Sequence, residues 1–252
     1  MKLDTFVLHS DELNRDKRIQ VLYPEDTNKR YPVLYVHDGE TAFRQSTPPG
    51  SESLSLDELS KNDLVIVAID AEDWEIRTQE YSPFPWIGEA EHFLPSGQEE
   101  GDIYLCWLIT KLIPVITKRY PVKKGYGSTF MLGCSLGAQI SVFASAKYPS
   151  VFSKIGCFSL ASWGNEPAFI HFLKKSRIRK TTSYFIRVGR EEGIPRNLLS
   201  LGECYPRLTQ DLLACLREKA IDHVDAAIEK SGRHKTADWE KEIPSFLDWL
   251  AR

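Results

Sequence analysis

Short runs of β-branched and aromatic residues recur along the chain, with room for a helix between them. Residues 32–36 and 64–69 are nearly continuous apolar runs, as expected of strands that are buried on both faces of a sheet. A short helical segment at 53–61 separates them, and strand, helix, strand at this spacing is typical of a parallel crossover. This alternation predicts an α/β fold with a mostly parallel central sheet and helices on both faces.

The same alternation continues to the end of the chain. Further strands are predicted at 17–23, 130–132, 155–160, 184–188 and 224–228. Helices are predicted at 103–120, 136–148, 206–219 and 237–250. The 252 residues of the chain suit one domain of this class, so we expect a single domain over 1–252.

A long segment at about 70–101 carries no helical or strand period. It contains Pro, Gly and acidic residues together with aromatic ones, namely Trp74, Tyr81, Phe84, Trp86 and Phe93. We expect an active-site loop over the sheet, because loops of this length inside a compact domain are commonly functional. Its aromatic residues either line a binding site or simply pack onto the core.

Composition and charge exclude several classes of partner. Lys and Arg number 32 against 35 Asp and Glu, and a net charge of −3 provides no basic surface for nucleic acid. No run approaches the ~20 apolar residues that cross a bilayer, and the first residues do not form a secretion signal. We therefore expect a cytoplasmic protein without membrane contact. Five scattered cysteines without CxxC spacing indicate neither disulfides nor a zinc site.

The pentapeptide Gly133-Cys134-Ser135-Leu136-Gly137 lies between a predicted strand and a predicted helix. This is the context of a nucleophile elbow, a strained turn in which small residues two positions from the serine relieve crowding. The pattern alone is weak, but the strand, turn and helix around it favour Ser135 as a nucleophile. The alternative is a tight turn whose serine only caps the helix.

A nucleophilic serine needs an imidazole to accept its proton and a carboxylate to fix the tautomer of that imidazole. On this fold the chain order is serine, acid, histidine. We favour His234 over His171 and His223, because it lies in a polar loop between the last predicted strand and the last predicted helix. The acid is open between Glu191 and Glu192, which follow the strand at 184–188 at the carboxyl edge of the sheet.

The two carboxylates also have a simpler interpretation, a solvated acidic turn.

The oxyanion that forms when a serine attacks an ester needs two hydrogen-bond donors. The backbone N–H of Leu136 is the expected first donor. The second is expected from the segment 37–40, directly after the strand at 32–36.

Taken together these segments resemble the putative esterase (esterase D-like) family of α/β hydrolases, which includes siderophore esterases, feruloyl esterases and mycolyltransferases. The likeness covers most of the chain. It rests on Val33-Leu34-Tyr35-Val36-His37-Asp38-Gly39-Glu40, on Arg77-Thr78-Gln79-Glu80-Tyr81-Ser82-Pro83, on Leu112-Ile113-Pro114 with Arg119-Tyr120-Pro121, and on the elbow with Tyr148-Pro149 and Phe152. The resemblance implies the α/β-hydrolase fold.

The resemblance also implies roles for particular residues. Ser135 would be the nucleophile, His234 the base and Glu192, rather than Glu191, the acid. Glu40 would donate the second oxyanion N–H.

Other positions flank the implied site. Arg77 and Glu80 correspond to a charged pair near the family's active site, and Trp163 would border it. The sequence departs from the family pattern at Ala138, where a third glycine is common, and at Arg233, which replaces the glycine before the histidine. Arg233 would narrow or charge the pocket.

We therefore expect a serine carboxylic ester hydrolase that acts on a small or aromatic ester through an acyl-enzyme, with neither metal nor cofactor. Arg77, Trp86 and Trp163 are the expected substrate contacts. The alternatives are a siderophore trilactone as substrate, transfer of the acyl group to an acceptor alcohol, and a catalytically silent binding module. A homodimer is left open.

Overall fold

A computed structural model describes residues 1–59, 63–92, 94, 97–192 and 204–252. Its strands form one sheet in the order β1-β2-β4-β3-β5-β6-β7-β8. Their bounds are β1 (Lys2–Ser10), β2 (Arg15–Tyr23), β3 (Val33–His37), β4 (Val65–Ile69), β5 (Thr129–Cys134), β6 (Lys154–Phe158), β7 (Ser183–Gly189) and β8 (Val224–Glu229). All pairs from β4 to β8 in this order are parallel, whereas β2 is antiparallel to β1 and β4. The predicted mostly parallel sheet is confirmed.

Strand β1 is an element that the sequence analysis did not predict. It pairs with β2 at the edge of the sheet, and most of its side chains are exposed or half-buried. A strand with solvated faces lacks the continuous apolar run that marks a strand buried on both sides. The pairing with β2 therefore stabilises a segment whose own pattern is weak.

Helices cover both faces of the sheet, as predicted. Their bounds are α1 (Leu56–Leu59), α2 (Trp74–Glu80), α3 (Gly101–Trp107), α4 (Ile113–Arg119), α5 (Leu136–Lys147), α6 (Glu166–Lys175), α7 (Cys204–Glu218), α8 (Thr236–Glu240) and α9 (Ile243–Leu250). A π-helical turn, Leu108–Leu112, joins α3 to α4 in one helical segment. Of the segment 53–61 that was predicted as a helix, residues 60 and 61 lie outside the described residues.

Alternation along β3 separates two apolar cores. Val33 and Tyr35 pack into the larger core, which includes α5, whereas Leu34 and Val36 pack into the smaller core beneath α1 and α9. Successive side chains of a strand point to opposite faces, so a strand between two helical layers must be apolar at every position. This is the reason for the continuous apolar runs in the sequence.

The expected long loop at 70–101 is partly wrong, because the segment contains helix α2 and a 3₁₀ turn, Gly88–His92. The carboxylate of Asp73 caps α2 by accepting the N–H of Ile76 at 2.9 Å. A helix of two turns with exposed Trp74 on its surface gives too short a pattern for a period to be read. Phe93 lies outside the described residues.

The final helix predicted at 237–250 is two helices, α8 and α9. Pro244 lies in the first turn of α9. Proline has no N–H for the helical bond to the residue four positions earlier, and its ring clashes with that residue's carbonyl. The chain therefore ends α8 at Glu240 and starts a new helix at Ile243.

Candidate active site

Ser135 occupies the turn between β5 and α5. Its backbone has φ 61° and ψ −122°, a conformation that is strained for a residue with a side chain. A Cβ at Gly133 would collide with the carbonyl of Gly137, so glycine is required there. The local sequence therefore builds the strained elbow that the pentapeptide predicts.

The structure brings Ser135, His234 and Glu192 together, although they are far apart in the chain. The Oγ of Ser135 lies 2.9 Å from Nε2 of His234, and Nδ1 of His234 lies 3.0 Å from Oε2 of Glu192. Each residue follows a parallel strand, respectively β5, β8 and β7, and the carboxyl ends of such strands meet at one edge. This geometry suits proton transfer from the hydroxyl to the imidazole.

The neighbouring glutamates take different positions. The Glu192 carboxylate is buried, whereas Glu191 is exposed and its N–H donates to the carbonyl of Gly232 at 3.1 Å. A Cβ at Gly189 would collide with that same carbonyl. The close approach of Gly189 and Gly232 thus draws the loop with Glu192 against the loop with His234.

The segment after β3 lies beside the elbow, since β3 and β5 are neighbours in the sheet. Glu40 is in a 3₁₀ turn, Gly39–Thr41, and Asp38 before it is left-handed at φ 57°. A Cβ at Gly39 would collide with the carboxylate of Asp70. The N–H of Leu136 begins helix α5, where the helix dipole favours a negative charge.

Arg77 joins these two segments. Its guanidinium binds Asp38 bidentately, with Nε 2.5 Å from Oδ1 and Nη2 3.0 Å from Oδ2, and Nη2 also donates to the carbonyl of Cys134 at 3.4 Å. Burial opposes this charge, but Asp38 raises the pKa of Arg77 overall. The Arg77 guanidinium was expected to contact substrate, but its N–H groups donate to Asp38 and to the carbonyl of Cys134.

The expected charged pair of Arg77 with Glu80 is not formed. Glu80 instead binds the buried ammonium of Lys17 at 2.8 and 3.0 Å and the guanidinium of Arg15 at 3.3 Å. Arg77 and Glu80 are three residues apart on the two-turn helix α2, but their side chains contact different partners. The family resemblance implied the pair, and tertiary contacts decided against it.

Two titratable groups beside the elbow have displaced pKa values. Burial, and then the charge of Asp38, raise the pKa of Glu40 to about 7. Its carboxylate accepts the N–H of Ala71 at 3.1 Å. Burial lowers the pKa of His37 to about 4, and its Nδ1 lies 2.9 Å from the hydroxyl of Tyr104. His37 is therefore neutral near pH 7.

The two tryptophans that were expected to contact substrate are not equivalent. Trp86 is only 1% exposed, and its indole N–H donates to Oγ of Ser82 at 2.7 Å. Its ring packs edge-to-face on half-buried Trp163, with 4.9 Å between centroids. The buried surface of Trp86 is used in packing and is not exposed to a substrate.

Exposed Trp74 is an aromatic residue of a different kind. It is 55% exposed on α2, and the Arg77 guanidinium lies 5.8 Å from its ring centroid. Its contact with Arg77 places it near the elbow. The aromatic composition of 70–101 pointed to such a residue without identifying it.

Sequence reasoning missed other groups around the site. These include Asp38, which pairs with Arg77, and the hydroxyl of Ser159, which contacts Glu192. The ring of Tyr205 lies 4.4 Å from that of His234. These roles have no local signal, because each depends on where a distant segment ends.

Across the described residues, no group of three His, Cys, Asp or Glu side chains is placed to hold a metal ion. Similarly, none of the helices in the described ranges is both long and apolar enough to pass through a bilayer.

Comparison with known proteins identifies the relatives of this chain. The model of the family described as "Putative esterase" matches residues 10–250. The protein described as "Uncharacterized protein YbbA" from Bacillus subtilis (strain 168) is 31% identical over 223 residues, 87% of this chain and 85% of that relative.

Solved structures show the same fold. An IroE-like serine hydrolase from Shewanella oneidensis has a TM-score of 0.76 at 17% identity, with coverage of 99% of this chain and 79% of that one. A ferulic acid esterase has a TM-score of 0.71 at 16% identity, with coverage of 99% and 97%. At such identities the likeness concerns the fold.

Proposed function

Since this chain belongs to the putative esterase family and is a carboxylic ester hydrolase, we propose that it works through an acyl-enzyme on Ser135. The observation that carries the proposal is the hydrogen-bonded series from Ser135 through His234 to Glu192, at 2.9 and 3.0 Å. These groups supply a nucleophile, a base and an acid that orients the base.

The acylation step uses each group in turn. His234 Nε2 accepts the proton of Ser135 as Oγ attacks the ester carbonyl, and Glu192 stabilises the imidazolium that forms. The N–H groups of Leu136 and Glu40 would bind the oxyanion. His234 then gives its proton to the leaving alcohol, and the acyl group remains on Ser135.

Deacylation repeats these steps with water as the nucleophile. His234 accepts a proton from water, hydroxide adds to the acyl carbonyl, and the carboxylic acid leaves as Ser135 recovers its proton from His234. One ester and one water thus give one alcohol and one acid. An acceptor alcohol in place of water would give a new ester instead.

The substrate that we favour is a small or aromatic ester. Trp74 is exposed and half-buried Trp163 is held by Trp86, so two aromatic surfaces are available for an apolar group. The fold shared with a ferulic acid esterase is consistent with this class. A siderophore trilactone is the alternative.

The test of the nucleophile is Ser135→Ala with a short p-nitrophenyl ester. We expect kcat to fall by roughly 10⁴-fold or more, with loss of labelling by a fluorophosphonate probe. Ser145→Ala is the matched control, since Ser145 is also a buried serine but its Oγ contacts the hydroxyl of Tyr184 at 2.7 Å. Full turnover by the Ser135 variant would refute the proposal.

The substrate class requires a separate test. A series of p-nitrophenyl esters, an aryl acid methyl ester and one catecholate trilactone should be compared by kcat/KM. We expect the aromatic or short esters to be preferred, and a preference for the trilactone would favour the alternative. Product analysis with an added alcohol distinguishes free acid from a transferred acyl group.

A further inference from the structure

Ser159 is a buried residue with an unusual backbone. It directly follows β6, is 0% exposed and has φ 55°, in the left-handed region that residues other than glycine rarely adopt. The preceding residue, Phe158, accepts the N–H of Ser135 at 2.8 Å, so Ser159 lies beside the elbow. Such strain at a position next to a reactive group points to a functional constraint.

The hydroxyl of Ser159 has partners on both sides. Its Oγ lies 2.6 Å from Oε1 of Glu192 and 2.8 Å from Nε1 of Trp239. An indole N–H can only donate, whereas a hydroxyl can accept one bond and donate another. The direction is therefore fixed: Trp239 donates to Ser159, and Ser159 donates to Glu192.

The two oxygens of the Glu192 carboxylate have different partners. Oε1 accepts the hydroxyl of Ser159 and the N–H of Gly189, each at 2.6 Å, and Oε2 faces Nδ1 of His234 at 3.0 Å. A buried carboxylate is costly unless its oxygens are hydrogen-bonded, and donors stabilise its ionised form. Anchoring Oε1 leaves Oε2 in a fixed position for His234.

Trp239 also limits the movement of the base. Its ring packs against the His234 ring at 5.0 Å between centroids and 86° between planes. It lies on α8, directly after the loop that holds His234. One side chain thus contacts His234 and, through Ser159, the carboxylate that orients it.

We propose that Ser159 and Trp239 are positioning residues of this active site: the Trp239 indole N–H orients the Ser159 hydroxyl, which holds the Glu192 carboxylate in the geometry that His234 requires. This inference rests on the proposed function, because it assigns Glu192 and His234 their roles. Neither Ser159 nor Trp239 takes part in bond making.

The first experiment compares Ser159→Gly with Ser159→Ala, using p-nitrophenyl acetate. Both variants lose the hydroxyl, so we expect kcat to fall about 10- to 100-fold in both, as for one hydrogen bond to a charged group, with KM changed less than about twofold. Glycine tolerates the positive φ, so Ser159→Gly should resist urea better than Ser159→Ala. Equal activities with unequal stabilities separate the hydroxyl from folding.

The pH profile is the second readout. Without the Ser159 donor, the Glu192 charge acts more strongly on the imidazolium of His234. We therefore expect the acid limb of kcat/KM to move to higher pH in both Ser159 variants. A purely structural role would lower the amount of active protein without moving this limb.

Trp239→Phe keeps a ring beside His234 but removes the N–H. We expect a loss in kcat of about 3- to 10-fold, because the hydroxyl remains but is no longer oriented. Since the N–H acts through the hydroxyl, the double variant Ser159→Gly/Trp239→Phe should be no slower than Ser159→Gly alone. Additive losses would overturn the proposed connection.

Two controls match these substitutions elsewhere in the fold. Ser145→Ala removes another buried hydroxyl, and Trp249→Phe changes an indole that packs on Phe185 and Phe246. Both should leave kcat/KM and its pH profile unchanged.

The outcomes distinguish this inference from the proposed function. If Ser135→Ala is inactive but the Ser159 variants retain wild-type kcat and pH profile, only the positioning role is refuted. If Ser135→Ala retains full activity, both proposals fall.

Discussion

Replacement of Glu40 by Gln tests the electrostatics of the segment beside the elbow. Three carboxyl groups meet there, but only two are paired with guanidinium groups: Asp38 with Arg77, and Asp70 with Arg18 at 2.7 Å. Among the described residues no cation pairs with Glu40. Burial and the charge of Asp38 accordingly raise its pKa from 4.5 to about 7.

The raised pKa makes stability depend on pH. Between these two values the folded protein holds a proton on Glu40 that the unfolded chain has released. The contribution is therefore fully present below pH 4.5 and is lost as the pH rises through about 7. The full difference corresponds to ~3–4 kcal/mol at 1.4 kcal/mol for each pH unit, and partial solvation reduces it to ~1–2 kcal/mol.

Glutamine does not titrate, so Glu40→Gln removes this dependence and keeps the backbone N–H. Urea unfolding of wild type and variant at pH 5 and pH 8.5 measures the effect. We expect the variant to gain ~1–2 kcal/mol relative to wild type between these two values. Any effect of the substitution that is independent of pH cancels in this comparison.

Glu75→Gln is the control, because Glu75 is exposed on α2 and its charge is solvated in both states. The difference in free energy of unfolding between Glu75→Gln and wild type should be the same at both pH values. If Glu40→Gln behaves in the same way, the reasoning from burial and unpaired charge is refuted. Glu40→Gln should also retain ester hydrolysis, since the proposed role of residue 40 uses only the backbone N–H.

Three further predictions concern the site. Glu192→Gln should lower kcat by about 10³- to 10⁴-fold, whereas exposed Glu191→Gln should leave it unchanged; steady-state kinetics that show the reverse would exchange their roles. Arg77→Lys should destabilise the protein by ~2–4 kcal/mol in urea unfolding and lower kcat, because a lysine cannot bind Asp38 bidentately. Trp74→Ala should raise KM for aryl esters by about 3- to 10-fold and leave KM for acetate esters unchanged. An equal rise in KM for both esters would show that Trp74 does not contact the aryl group.

Much of the framework follows from local patterns in the sequence. The continuous apolar runs of β3 and β4 predict strands between two layers of helices, because every side chain there is buried. Ser135 is identifiable for a similar reason: a Cβ at Gly133 would collide with the carbonyl of Gly137, a steric limit that arises within five residues. Chain order then favoured His234, since the fold places its histidine after the last strand.

The remaining features were decided by tertiary structure alone. The sequence contains two adjacent glutamates, and tertiary contacts separate them: Glu192 is buried and accepts hydrogen bonds from Ser159 and Gly189, whereas Glu191 is exposed. Arg77 likewise has a nearby carboxylate in Glu80 but binds Asp38, which lies 39 residues away.

The physical reason is common to these cases. Local sequence determines backbone conformation through steric limits and burial that act within a few residues. The direction and partner of a polar side chain depend on groups that meet only when strand ends converge, as the Ser159 hydroxyl meets Glu192 from 33 residues away. The sequence by itself therefore determined the strands from β2 to β8, the elbow and the order of the proposed catalytic groups, and the tertiary structure decided which side chains hold those groups in place.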